Sequence, residues 1–201
     1  MVTLTLVRST LLLDTTTSDA DTTANNLTRQ HSLVMSGFPT VRGVPARQAL
    51  GVLYHIRPTL PQQVALLVQS SDTPDWSRLP SFVAETQVEH FEQTIDAGQL
   101  WNFACDANPS FRPSGRERQF LHSPSDQHAW WEHRSQIHGF RTQKLILQGL
   151  GTRRGDQGLA LSVVRFSGQL VVEDPQRFAE SFRHGVGPGK AFGCGLLSLA
   201  G

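Results

Sequence analysis

The chain has 201 residues, of which 38% are apolar and 17% charged, with 17 glycines and 11 prolines. That composition suits one ordinary domain or two small ones around a real core, and it excludes disordered, collagenous and peptide-scaffold classes. Net charge is +1, but residues 1–100 carry 6 arginines against 9 acids and residues 101–201 carry 12 cations against 8 acids, which puts basic surface in the second half.

In chain order, residues 2–7 alternate Val2, Leu4 and Leu6 with Thr3, Thr5 and Val7 and read as a strand. The Ser/Thr/Asp/Asn-rich stretch 14–26 reads as a mobile loop ending at a helix start between Asn26 and Thr28. Leu27, His31, Val34 and Met35 fit one face of a short helix, stopped by Gly37 and Pro39. Residues 50–58 and 63–71 are β-rich runs across a proline-containing turn, a hairpin pattern. A Pro-Asp-Trp turn at 74–76 leads to an expected short helix over 76–82 and then a strand over 83–91. This half follows the β-α-β-β-(α)-β order of a ferredoxin-like unit.

The second half repeats the order. Residues 99–105 read as a strand, and residues 122–140 as a helix with Ser125 as N-cap candidate. Strands over 144–149 and 159–174 flank the polar tip GTRRGDQG, Pro175 opens a helix that buries Phe178 and Phe182, and residues 193–199 form a last strand. The expected fold class is α+β: two tandem ferredoxin-like domains, residues 1–92 and 93–201, each an antiparallel sheet with helices on one face.

Cys105 and Cys194 cannot build a disulfide framework or a zinc cluster, so a reducing compartment is expected. No apolar run approaches the roughly 18 residues of a membrane span, and the expectation is a soluble, cytoplasmic protein with no membrane partner. Sixteen of the 18 cations are arginine, which serves bidentate phosphate binding or reflects a biased genome. The run GVGPGKAFGCG (185–195) fails the phosphate-loop pattern, because His184 and Ala191 stand where that motif needs glycine and Ser/Thr. Two readings stay open for it: a phosphate-approaching loop using Gly185, Gly187, Gly189 and Lys190, or a tight turn packing the last helix on its sheet. Arg153 and Arg154 sit in a glycine-bracketed tip and should project into solvent, either to clamp phosphates or simply for solubility. His31 titrates in the range of a general acid or base, whereas His122, His128, His133 and His138 lack metal-ligand spacing. Trp130 and Trp131 read mainly as core, with one of the two at a boundary.

The C-terminal FRHGVGPGKAFGCGLLSLAG, the Ala107–Pro109 turn, the helix opening HAWWEHR and the early His31 followed by Gly-Phe-Pro together resemble the CasE family of CRISPR repeat-RNA endoribonucleases. The resemblance spans nearly the whole chain. It implies two RRM-like domains that bind the repeat stem-loop, cut precursor crRNA on the 3′ side of the stem without metal or cofactor, and keep the product beside other Cascade subunits. It also implies a monomer when free. Metal-free cleavage by the neighbouring 2′-hydroxyl gives a 2′,3′-cyclic phosphate and needs only proton movement and anion stabilisation.

Through the resemblance, His31 takes the role of general acid or base. Family members tend to carry a tyrosine three residues earlier, where Thr28 stands here, and a basic residue after the histidine, where Ser32 stands. Thr28 is therefore the second catalytic or positioning candidate, and Arg29 the nearby charge. The resemblance also sets Arg153 and Arg154 against the RNA stem, a duplex recognised by shape and phosphates. The competing expectation is a non-catalytic hairpin-binding subunit, suggested by the missing tyrosine. A nucleotide enzyme using the glycine loop is disfavoured by its failed spacing.

Overall fold

The computed structural model describes residues 1–114 and 118–200. The N-terminal half runs β1 (Val2–Asp14), α1 (Ser18–Ala24), α2 (Leu27–Met35), α3 (Ala46–Ala49), β2 (Leu53–Leu60), β3 (Gln63–Ser70) and β4 (Val83–Ile95). Its sheet is antiparallel in the order β2-β3-β1-β4. The C-terminal half runs β5 (Leu100–Ala107), a small pair β6 (Ser110–Phe111) and β7 (Gln119–Phe120), α4 (Pro124–Ile137), β8 (Phe140–Arg154), β9 (Ala160–Val172), α5 (Pro175–His184), a 3-10 turn (Lys190–Phe192) and β10 (Leu197–Ala200). Its main sheet has the order β10-β5-β9-β8. Counting main-sheet strands within each half, both sheets place the first strand beside the third and the fourth, with the second at the outer edge. The molecule is α+β, with tandem ferredoxin-like sheets joined by the turn at residues 96–99.

Several local expectations are corrected. The stretch 14–26 is not a loop: α1 forms there, capped by Thr17, whose Oγ1 accepts from Ala20 N–H at 3.3 Å, with Asp19 and Asp21 in its first turn. Only Ala20 and Thr23 are buried, too few to leave a periodic signature. Residues 76–82 form no helix. Pro74 and Pro80 remove donors, and the Trp76 indole lies where a Cβ on Gly37 would sit, donating to Ser9 Oγ at 3.1 Å. α4 is capped by Ser123, not Ser125, and the last strand begins only at Leu197, because Gly193 and Gly195 hold positive φ. α2 matches the expected span, but it buries Leu27, Gln30, Leu33 and Val34, leaving His31 half-buried.

β1 serves two cores. Leu11 and Leu13 pack under α1 and α2 with Tyr54, Leu66 and Val68. Leu4 and Leu6 join the larger core of the second half, which centres on α4, α5 and β9. There both tryptophans are buried, against the expectation that one lies at a boundary. Trp131 stacks between Phe166 (4.6 Å between centroids) and Phe103 (5.4 Å), while Trp130 lies beside Phe166 and fills space left by Gly187. Each indole N–H is satisfied, that of Trp131 by Thr142 Oγ1 and that of Trp130 by the Ser110 carbonyl.

A third apolar cluster joins the halves: Leu27 of α2 packs with Leu161, Val163 and Cys194. Beside it lies Asp106 on β5, whose side chain is 1% exposed. Arg165 Nε and Nη2 donate to its two oxygens at 2.7 and 3.1 Å, and Arg153 Nη2 donates at 3.3 Å. Its backbone carbonyl accepts from Gly195 N–H at 2.7 Å. Removing this carboxylate strands two partly buried guanidinium groups. Asp106→Ala should therefore cost about 3–5 kcal/mol, read as a lowered urea midpoint with an unchanged m-value.

Candidate active site

α2 begins at Asn26, whose Oδ1 accepts from Thr28 N–H (2.9 Å) and Arg29 N–H (3.1 Å). The same side chain turns its Nδ2 to Asp156 Oδ1 at 2.8 Å, and Asp156 N–H donates to Thr28 Oγ1 at 2.9 Å. The β8–β9 hairpin is thus fastened to the start of α2. A side chain on Gly155 would collide with Thr28, so the approach requires glycine.

This geometry revises the reading of the hairpin arginines. β8 continues through Arg154, so both arginines lie in the strand and not in the tip. Arg153 turns inward to Asp106 and is 21% exposed, whereas Arg154 is exposed. Only Arg154 projects into solvent as expected.

His31 faces the opposite neighbour, the glycine-rich loop. Its ring lies 5.6 Å from that of Phe192, and its Nδ1 is buried with no hydrogen-bond partner among the described residues. Burial pushes its pKa below the usual histidine value, the Ala191 backbone opposes the shift, and the Arg47 charge adds to it. The ring is therefore mainly neutral at pH 7, the form that accepts a proton.

Thr28, one helical turn earlier, borders a different cavity of about 380 Å³, shared with Arg29, Ser32, Arg78 and Asp156. Arg29 is exposed there, and at two residues' separation it does not share a helix face with His31. The cation whose charge acts on His31 is instead Arg47, at the start of the chain into β2, while Lys190 opens the turn whose Phe192 packs on the ring and is itself acted on by the charges of Arg47 and Arg134. Sequence reasoning missed Arg47, which stands 16 residues downstream in an unpatterned segment. It also placed no tyrosine near the histidine. In space Tyr54 is close, since its hydroxyl donates to the Ala191 carbonyl at 3.2 Å. Buried, with its pKa raised chiefly by desolvation, Tyr54 supports the loop.

The glycines of the loop chiefly permit packing. Gly185 is buried, and a Cβ there would meet Leu53 of β2 at 2.8 Å, so its expected contact with RNA has no surface to use. Gly187 and Gly189 are partly exposed but lie against Trp130 and Cys194. Lys190 is half-buried and follows them directly. On the far side of the first sheet, its helix-free face meets the second sheet across a cleft of about 400 Å³ lined by Arg8, His55, Arg57, Asp106 and Arg165. Among the described residues no group of three or more His, Cys, Asp or Glu is placed to hold a metal ion, and no helix is long and apolar enough to cross a membrane.

A family model described as CRISPR associated protein matches residues 7–201. The chain belongs to this family. It is 38% identical over 152 residues to the CRISPR-associated endoribonuclease Cse3 of Thermus thermophilus, covering 67% of this chain and 72% of that protein. The structure of Thermus thermophilus Cse3 bound to an RNA representing a pre-cleavage complex overlays with a TM-score of 0.86 at 29% identity, over 98% of this chain and 100% of the other. The CRISPR-associated protein Cas6e of Escherichia coli K-12 shares the fold, with a TM-score of 0.71 at 19% identity over 97% and 98% of the two chains.

Two partly buried histidines outside this site make stability depend on pH. Burial lowers His55 to about 4, with Arg165, Arg57 and Arg153 adding to the shift and Asp106 opposing it; burial likewise lowers His138 to about 4. The unfolded chain binds these protons near pH 6.5, so it holds more protons than the fold between pH 6.5 and 4, and stability falls as pH falls through that window. His55 alone contributes on the order of 2 kcal/mol to the decline. Thermal melts at pH 7 and pH 4.5 should show it, and His55→Phe should flatten part of it; an unchanged Tm between the two pH values contradicts the assignment.

Proposed function

We propose that this chain is a metal-independent endoribonuclease that cuts CRISPR repeat RNA on the 3′ side of its stem-loop. The observation that carries the reading is the placement of a mainly neutral His31 against Phe192 of the glycine-rich loop and within the field of Arg47, in a fold that overlays on an RNA-bound relative named as an endoribonuclease. In the step, His31 takes the proton of the 2′-hydroxyl next to the scissile phosphate. The freed oxygen forms a bond to phosphorus, the P–O5′ bond breaks, and the departing 5′-oxygen takes a proton from solvent water, to which His31 later returns the one it accepted. The products are a 2′,3′-cyclic phosphate and a 5′-hydroxyl, with no redox change and no co-reactant. Cations nearby stabilise the crowded anionic phosphorane.

Thr28 enters as a positioning group. Its Oγ1 already accepts the Asp156 N–H, so it orients the hairpin against α2. Arg154 is the exposed hairpin cation that would meet stem phosphates, with Arg29 and Lys190 as further backbone contacts. The C-terminal motif extends the reading to a protein that retains its cut hairpin as a subunit of a Cascade surveillance complex. A second reading, a hairpin-binding subunit without catalysis, is favoured by the engagement of Thr28 where the family tends to carry tyrosine.

A single-turnover assay with excess protein, the host's repeat hairpin and EDTA decides between them. A specific cut ending in a cyclic phosphate is expected, and His31→Ala should slow it by about 10²–10⁴-fold with near-normal binding. Tight binding with no cut by the native protein would establish the second reading. The two arginines should also separate. Arg154→Ala should weaken hairpin binding and reduce the salt slope by about 1, whereas Arg153→Ala should lower Tm first; equal affinity losses without a Tm change would reverse their assignment.

A further inference from the structure

The hairpin of β8 and β9 carries the exposed Arg154 and meets the start of α2 one residue later, where Gly155 lies against Thr28. Its tip is a short, closed turn: Gly155 N–H donates to the Leu159 carbonyl at 2.9 Å, and Leu159 N–H to the Asp156 carbonyl at 3.1 Å. Two hydrogen bonds join this turn to the helix, Asn26 Nδ2 to Asp156 Oδ1 at 2.8 Å and Asp156 N–H to Thr28 Oγ1 at 2.9 Å. His31 stands three residues beyond Thr28 in the same nine-residue helix, so a shift of the helix start is carried to the imidazole.

Stability does not account for these contacts. Both lie at the surface, where a hydrogen bond that replaces one to water adds little. The halves are already joined by the Leu27 cluster and by the buried bond from Gln69 Nε2 to the Phe182 carbonyl at 2.7 Å. Affinity for RNA does not account for them either. Asp156 sets a carboxylate two residues from Arg154 and has no cation within 4 Å among the described residues, so on a hairpin that meets phosphates it opposes binding. A group that adds little to folding and works against binding, yet grips the helix that carries His31, fits a role in placing that histidine.

We infer that Asn26 and Asp156 are positioning residues, a latch through which a base-paired stem held on the hairpin sets His31 at the scissile phosphate, so that cutting is confined to RNA that carries the stem. The inference rests on the nuclease reading and deepens it by naming what makes the site selective for paired over unpaired RNA. Binding energy from the stem, remote from the reacting atoms, is then spent on orientation at the cut.

The latch can be broken and remade without touching His31. Asn26→Asp keeps an acceptor to cap α2 but sets a second carboxylate against Asp156, and adding Asp156→Asn restores one donor and one acceptor with the direction reversed. Single-turnover cleavage at saturating protein is measured on the repeat hairpin and on the same RNA with the 5′ arm of its stem changed so that it cannot pair; a hairpin with a 2′-deoxy sugar at the cut site gives affinity. The native protein should cut the hairpin faster than the unpaired RNA. Asn26→Asp should lower the hairpin rate by about 10-fold or more toward the unpaired rate, Asp156→Ala should do the same with equal or tighter binding, and the double variant should recover most of the loss. Melting curves show whether each variant is folded; if Asn26→Asp is not, Asp156→Ala carries the test. Equal native rates on the two RNAs would overturn the latch, as would a native hairpin rate in the folded variants, a loss that the double variant does not recover, or a fall in affinity at unchanged saturated rate. Each of these leaves the nuclease reading standing. A native protein that binds but never cuts would overturn both.

Discussion

The arrangement around His31 depends on a carboxylate that never touches it. Asp106 is buried, and a carboxylate at that depth is costly unless it is paired and hydrogen-bonded, as this one is. Its partners come from β8 and β9, and its backbone carbonyl holds Gly195 at the end of the glycine-rich loop. One residue therefore fixes the hairpin that docks on α2 and one end of the loop that covers His31. The Leu27 cluster closes the same seam with apolar contacts, which adds strength without adding direction. Direction comes from Asp106 and from the Asn26–Asp156–Thr28 hydrogen bonds.

Local pattern revealed much of this fold. The alternation in β1, the hairpin of β2 and β3, the Asn26 cap and the paired phenylalanines of α5 are signals that act within a few residues, so they could be read in order along the chain. α1 escaped because its cap is ordinary and its buried face is only an alanine and a threonine. The turn around Trp76 escaped because its shape is set by a tryptophan lodged over Gly37 and bonded to Ser9, contacts that no local pattern encodes. The candidate site was legible in part for the same reason. His31 and Lys190 stand in recognisable motifs, whereas Arg47 acquires meaning only from the folding of the loop between α2 and β2.

Arg153 and Arg154 show how a one-residue step separates two roles. Adjacent strand residues point to opposite faces, so in β8 only one of the pair can reach solvent. A tip loop would have exposed both, and the composition GTRRGDQG suggested a tip. The strand instead continues through both arginines because Arg153 and Arg154 pair with Leu161 and Ala160 in the ladder, and the buried carboxylate rewards that register. Thr28 has an equally non-local partner, 128 residues away at Asp156. A hydroxyl that looked available for chemistry is committed to holding two halves together.

Arg153 and Arg165 share one carboxylate, which halves their combined charge and holds both side chains in place. Arg47 is half-buried with no carboxylate within 4 Å among the described residues, and its charge reaches the His31 imidazole. Fixed charge in a partly dehydrated site needs no reorganisation when an anion develops there, and that is the condition under which charge stabilises a transition state more than a ground state. The hold that Asp106 has on Gly195 keeps the loop of Phe192 against that imidazole.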